Sequence, residues 1–188
     1  MRFSTIGLAS ILAAAALHAG VYTVDTTHSN VGFKVKHVMI SNVTGKFDKF
    51  SGTLEYDEKT KTLKSLTGLI DVASINTSKA ERDTHLKSAD LFDVAKYTEI
   101  KFALTKADKD YAYGKLSIHG ITKDIKLALE DNGIAIDPWG NQRVGLVLKG
   151  TINRKDFGIT WNKALETGGV MVGEDVKIEV ELEGILNK

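Results

Sequence analysis

Val176-Lys177-Ile178-Glu179-Val180-Glu181-Leu182-Glu183 alternates an apolar with a charged residue at every step. Side chains of an extended chain point to opposite faces in turn, so this stretch reads as a β-strand with one buried face and one wet face. Working outward, the same period recurs in Val31, Phe33 and Val35, then in Phe50, Gly52, Leu54 and Tyr56, and in Leu66, Gly68, Ile70 and Val72. Ile100, Phe102 and Leu104 follow, then Gly114, Leu116 and Ile118, then Ile125, Leu127 and Leu129, then Leu146, Leu148, Gly150 and Ile152. The count is about eight strands by alternation. Between them lie short turn-forming segments, Asp57 to Thr60, Lys106 to Asp110, His119 to Thr122, and Asp137-Pro138-Trp139-Gly140 with the only proline. Gaps on this scale join neighbouring strands as hairpins, so the sheet is expected to be antiparallel.

A sheet in which every strand has one apolar face must hide that face. Closing the sheet on itself does so and also removes both exposed edges, and eight strands leave room for one small ligand. A flattened sandwich with a dry core satisfies the same alternation. Gly52, Gly68, Gly114 and Gly150 all fall on the expected inner face, where glycine fills no volume and permits sharp curvature, which favours the barrel. One helix is expected, from Ser78 to Ser88, because Ser78 and Glu81 have capping-box spacing. The expected fold class is therefore all-β, an eight-stranded antiparallel barrel with one short α-helix.

At the N-terminus, Met1-Arg2-Phe3-Ser4-Thr5 carries one cation and leads into an apolar run from Ile6 to Leu17 that closes on Leu17-His18-Ala19. That is the layout of a secretory signal peptide, and the run is too short for the roughly 20 residues of a membrane-spanning helix. The expected organisation is a leader over residues 1–19, cleaved after Ala19, and one domain over 20–188, with no integral membrane segment in the mature chain. There is no cysteine, which excludes disulfides, thiol nucleophiles and lipidation of a cysteine. With 25 basic and 24 acidic residues and no long run of one sign, nothing points to a nucleic-acid partner.

Residues with catalytic potential are sparse. No phosphate-binding glycine loop, nucleophile elbow or dinucleotide fingerprint occurs, and no histidine pair has metal-ligand spacing. An enzyme acting on a ligand headgroup would have to use His37, His85 and Glu81; a binding protein without metal or cofactor is the expected class. His37 extends the inner alternation of Val31, Phe33 and Val35 to a strand end, where it can meet a headgroup or simply cap the rim. Arg154-Lys155-Asp156-Phe157-Gly158 is read first as a charged cluster that fixes a loop and second as a contact for an anionic headgroup.

Tyr22-Thr23-Val24-Asp25-Thr26-Thr27-His28-Ser29-Asn30 opens the domain and Gly45-Lys46-Phe47-Asp48-Lys49-Phe50-Ser51-Gly52 follows. More specific are Arg82-Asp83-Thr84-His85-Leu86-Lys87-Ser88-Ala89-Asp90-Leu91-Phe92-Asp93 and Asn153-Arg154-Lys155-Asp156-Phe157-Gly158-Ile159-Thr160-Trp161-Asn162. Together these ordered motifs resemble one family, the YceI-like, lipocalin-like polyisoprenoid-binding proteins of the bacterial periplasm. Tyr97-Thr98 departs from the pattern, which often has a proline after the aromatic. The resemblance implies a barrel with a long apolar tunnel, a helix by its rim, frequently a homodimer, and a long isoprenoid or fatty-acyl-type lipid as partner. Alternation then offers Phe33, Val35, Phe50, Leu54, Gly68, Ile70, Val72, Phe102, Gly114, Leu116, Ile118, Leu127, Leu148, Val180 and Leu182 as the apolar lining. A polar head is expected near the rim, where His37, Arg82, His85 or Asn162 can reach it, because a buried head without partners costs several kcal/mol.

Overall fold

A computed structural model describes residues 19–188 apart from Thr167; the expected leader, its last residue aside, lies outside the described residues. Strands run in the order β1 (Gly20–Val24), β2 (Asn30–His37), β3 (Ser41–Phe47), β4 (Phe50–Asp57), β5 (Thr62–Asp71) and β6 (Ile75–Asn76). The helix α1 (Ala80–Lys87) precedes β7 (Glu99–Ala107), β8 (Tyr111–Ile118), β9 (Ile121–Ile136), β10 (Gln142–Asn153) and β11 (Val172–Leu186). All pairings are antiparallel, and β1 bonds both β4 and β11, so the sheet closes.

Eleven strands occupy eight positions around the barrel. The long β11 pairs along one edge with β10 and along the other with two strands end to end, β2 against Val172 to Glu181 and β1 against Gly184 to Leu186. In the same way β3 and β4 form one interrupted strand, as do β5 and β6. The alternation in the sequence located one strand for each position. It missed β1, which is only five residues long, β6, which is only two, and β3, where Gly45 stands at an inward position between Val43 and Phe47 and weakens the apolar signal.

Each interruption is stitched by backbone and serine side-chain hydrogen bonds that replace the missing ladder bonds. At the break between β1 and β2, the Glu183 carbonyl accepts from the Asp25 N–H at 2.8 Å, and the Glu183 N–H donates to the Ser29 hydroxyl at 2.9 Å. At the break between β3 and β4, Asp48 N–H donates to the Ser74 carbonyl and Lys49 N–H to the Ser74 hydroxyl. The backbone groups thus stay paired although the strand bends. The β8–β9 hairpin turns through His119 and Gly120, both at positive φ, and the Tyr97 ring packs so close to Gly120 that a Cβ there would lie 2.7 Å from it.

The helix begins later than its spacing suggested, and the Ser78–Glu81 box is not made. Ser78 sits in the left-handed region at φ 60°, which moves the cap position to Lys79, whose side chain caps nothing. Asp83 instead accepts from the backbone N–H and the hydroxyl of Thr77, and Arg82 donates to the Thr77 hydroxyl and carbonyl.

Two packed clusters fill the ends of the barrel. One, around Tyr22, Leu54, Tyr56, Val144 and Leu146, closes the end where β10 begins. The other, around Val72, Ile75, Leu91, Phe157 and Ile159, lies toward the end where β11 begins. Over the first cluster, the Arg143 guanidinium holds Asp25 and Asp137, each at 2.8 Å, and Glu183. The Asp25 carboxyl is held well below its ordinary pKa by hydrogen bonds from His28 and then Arg143. For Asp137, burial opposes ionisation, but bonds from Asn141, Arg143 and backbone N–H groups outweigh it and the pKa falls.

These depressed pKa values fix the sign of a pH effect. A carboxyl that binds protons less readily folded than unfolded contributes stability that is complete above the ordinary carboxylate range, about pH 4 to 5, and lost as pH falls through it. Arg143→Met is expected to lower the urea midpoint at pH 7, with the gap from wild type narrowing between pH 5 and pH 2. Unfolding curves across that range check this, and a gap independent of pH would contradict it.

Candidate functional site: an apolar barrel cavity

Between the two packed clusters lies a cavity of about 210 Å³. Its wall is almost wholly apolar: of the described residues that border it only Ser51, Thr67 and Arg154 are polar or charged, and the side chains of Ser51 and Thr67 stand on the outer face, where Thr67 Oγ1 meets Thr53 Oγ1 at 3.0 Å. Of the residues offered by alternation, Phe33, Val35, Phe50, Gly68, Ile70, Phe102, Leu116, Ile118, Leu127, Leu148, Val180 and Leu182 border it. Leu54, Val72 and Gly114 do not. Leu54 is 1% exposed inside the Tyr22 cluster, and Val72 has left the strand for a 3₁₀ turn where alternation no longer applies.

Gly114 is covered by an aromatic ring. A Cβ there would lie 2.5 Å from Phe102 Cζ and 2.7 Å from the Ala103 carbonyl oxygen, so the ring rests in the recess that glycine leaves. Phe33 rests on Gly45 in the same way, and Leu127 on Gly150. The inward glycines were expected to leave empty space; Gly114 and Gly150 instead each let a large side chain rest against the wall. Gly68 is the exception, with nothing within 4 Å of its would-be Cβ, and it borders the cavity directly. Opposite it in the ladder stands Gly52, whose Cβ position is blocked by the Thr67 carbonyl oxygen.

None of the four residues offered for a headgroup borders the cavity. His37 is exposed, because the inward alternation of β2 ends at Val35. Arg82 is committed to Thr77. His85 stacks edge-on against Trp161 with ring centroids 4.6 Å apart and approaches Asp90. Asn162 closes its own loop, donating to the Val172 carbonyl and accepting from the Val172 N–H.

Much of the wall comes from segments that alternation cannot describe. Leu86 from the helix, Leu91 and Phe92 from the loop after it, and Phe157 and Ile159 around the second 3₁₀ turn all border the cavity. Their signal in the sequence was the motifs in which they stand. Arg154 opens that turn and is 6% exposed. Its Nε donates to the Gly173 carbonyl at 2.9 Å, and its terminal nitrogens donate to the carbonyls of Ile159 and Val172 at 2.6 and 3.4 Å. Burial lowers its pKa from the ordinary value, yet arginine stays charged.

A second group of potential ligating atoms, Asp25, His28 and Glu183, lies at the seam of the barrel. Asp25 Oδ2 already meets both His28 Nδ1 and Arg143, and Arg143 also holds Glu183. A guanidinium at the centre of these donors is what a metal ion would have to displace, so the arrangement works as an ion-pair network.

The profile of the YceI-like domain matches residues 22–184, nearly the whole barrel. The chain belongs to the YceI-like family. A UPF0312 protein of Staphylococcus aureus strain MSSA476 is 41% identical over 163 residues, spanning 86% of this chain and 95% of that protein. The YCEI protein of Campylobacter jejuni superposes with a TM-score of 0.70 at 34% identity, covering 87% of this chain and 96% of that one. A polyisoprenoid binding domain from Saccharophagus degradans, implicated in plant cell wall breakdown, shares the fold at 17% identity, with a TM-score of 0.68 over 88% of this chain and 98% of that one.

The glycine recesses of this YceI-like barrel yield a stability test. Gly114→Ala drives a methyl group into Phe102 and a carbonyl oxygen, and is expected to cost about 1–3 kcal/mol. Gly68→Ala meets open space, and is expected to be neutral or to stabilise by about 0.4–1 kcal/mol through the unfolded chain. Chemical denaturation of the two variants measures the contrast.

Proposed function

We propose that this chain is an exported carrier or binding protein that holds a long-chain isoprenoid or similar amphiphilic lipid in the barrel, and is not an enzyme. The observation that carries the reading is the barrel cavity with its nearly uninterrupted apolar wall. Such a wall offers little to a polar substrate and much to a hydrocarbon: at about 0.8 kcal/mol per buried CH2, each C5 unit contributes up to about 4 kcal/mol before ordering costs. The description of the Saccharophagus degradans neighbour as a polyisoprenoid binding domain supports the ligand class. His37 and His85, which an enzyme would need, stand away from the cavity, and this favours binding over catalysis.

The empty lumen is smaller than the roughly 300–1,000 Å³ of typical small-molecule sites. A chain of several isoprene units therefore needs side chains to swing aside, and Phe33 and Phe102, which border the cavity and rest on glycine, are the natural gates. Export and the periplasmic setting rest on the leader-like sequence Met1–Ala19, and a homodimer on the family resemblance; a mature N-terminus at Gly20 and a dimeric mass in solution are the expected findings.

Native mass spectrometry of the purified protein is expected to release a long-chain lipid. In the variant Gly68→Phe, whose new ring points into open cavity, the fold is expected to hold and most of the lipid to be lost. A Gly68→Phe protein that carries its full lipid load would overturn the reading.

A further inference from the structure

We propose that the β2–β3 turn, together with the loop that leads into β11, docks the barrel on an anionic bilayer surface, with Met39 and Ile40 inserted and the neighbouring lysines on the headgroups. The inference rests on the carrier reading only for the purpose of the contact, and goes beyond it by assigning the face that meets a membrane.

The ground is a turn with a strained backbone and exposed apolar side chains. Val38, Met39 and Ile40 join β2 to β3, and the Ile40 N–H donates to the His37 carbonyl at 3.2 Å. Both central residues lie at positive φ, 41° at Val38 and 65° at Met39. Asn-Gly suits a hairpin turn of this kind, and a β-branched residue in it is strained. Met39 is nevertheless 53% exposed and Ile40 84%. A lone apolar residue on a surface needs no explanation, but a strained backbone that holds two of them in water points to a contact.

Position and charge identify the partner. The Val38 N–H donates to the Met171 carbonyl at 2.8 Å and the Met171 N–H to the Lys163 carbonyl at 2.9 Å, so the turn is tied to the loop before β11. Val172 pairs with His37, Val35 stands two residues before it, and both valines border the cavity. The tip therefore adjoins the cavity wall, and a hydrocarbon chain that passes between bilayer and cavity there has the least water to cross. Lys36 and Lys163 flank the tip, and Lys34 continues on the outer face beside its ladder partner Lys177; none of these is ion-paired among the described residues. The carboxylates nearby are Glu166 and Asp175, with Glu174 engaged by Lys155. The excess of lysine gives this rim a positive field, which an anionic headgroup layer complements. The other exposed tip, Trp139 with Ile136 at the β9–β10 turn, lies at the end closed by the Tyr22 cluster, where three carboxylates surround Arg143.

Flotation with vesicles of mixed phosphatidylcholine and phosphatidylglycerol, and with vesicles of phosphatidylcholine alone, tests this surface. The purified protein is expected to bind the mixed vesicles at least about tenfold tighter than the neutral ones, and to lose most of that advantage at high salt. Ile40→Asp is expected to weaken binding at least about tenfold, and Lys36→Gln with Lys163→Gln by about fivefold per lysine. Met39→Gly removes both the strain and an inserting side chain, so it is expected to leave the melting temperature unchanged or raised while binding weakens. Trp139→Ser is expected to leave vesicle binding unchanged.

No vesicle binding by the wild type, equal affinity for the two kinds of vesicle, binding that Ile40→Asp or Met39→Gly leaves intact, or binding that Trp139→Ser abolishes overturns the inference. A dimer that Ile40→Asp dissolves, in a protein that ignores vesicles, also overturns it and gives the tip to a second copy. Native mass spectrometry of the same preparations keeps the two readings apart. A protein that carries lipid but ignores vesicles loses the docking surface alone, and one that docks as expected but never yields a lipid loses the carrier reading alone.

Discussion

The barrel depends on one seam, where a single edge of β11 serves two strands in succession. β2 takes the edge as far as Glu181 and β1 takes it from Gly184. Between them the chain must bend, and a bend would leave backbone groups unpaired in the wall. The Asp25 N–H and the Ser29 hydroxyl, both reaching Glu183, fill that gap. Arg143 then draws the Asp25 and Glu183 carboxylates together from the neighbouring strand. If this seam opened, the sheet would regain two free edges, and the apolar interior would face water along its length.

Closure explains why the interior can remain partly empty. Once the ladder is complete around the ring, its hydrogen bonds keep the wall in place without side chains meeting across the middle. The packed clusters at the two ends supply apolar burial, and the stretch between them is free to hold something else. Glycine contributes there in two different ways. At Gly45 and Gly114 it forms a shallow recess in which a phenylalanine ring lies along the wall, and at Gly68 it leaves bare backbone facing the cavity. Both keep the lumen open, but only the first gives it side chains that can move.

Charge is distributed just as unevenly. The seam end concentrates acidic side chains around Arg143 and is electrostatically self-sufficient. At the other end Arg154 is buried against carbonyls alone, beside an apolar space.

Sequence alone determined the fold class and most of the strand faces. The period of two is a local property: where Val176 to Glu183 alternate, the pleat sends one set of side chains inward whatever the strand pairs with. The same locality explains what was missed. Glycine at position 45 erased the signal of β3, and positive φ at Ser78 broke a helix cap whose residue spacing was correct. Tertiary structure decided which inward residues face space and which face one another, because that depends on partners far away in the chain. Leu54 and Leu148 have the same pattern in sequence, yet one is locked under Tyr22 and Gly184 and the other borders the cavity. It also decided the polar end of the site. Arg82, His85 and Asn162 carry suitable chemistry, but their neighbours already satisfy or screen them, and Arg154, read first as loop glue, braces its loop through three carbonyls.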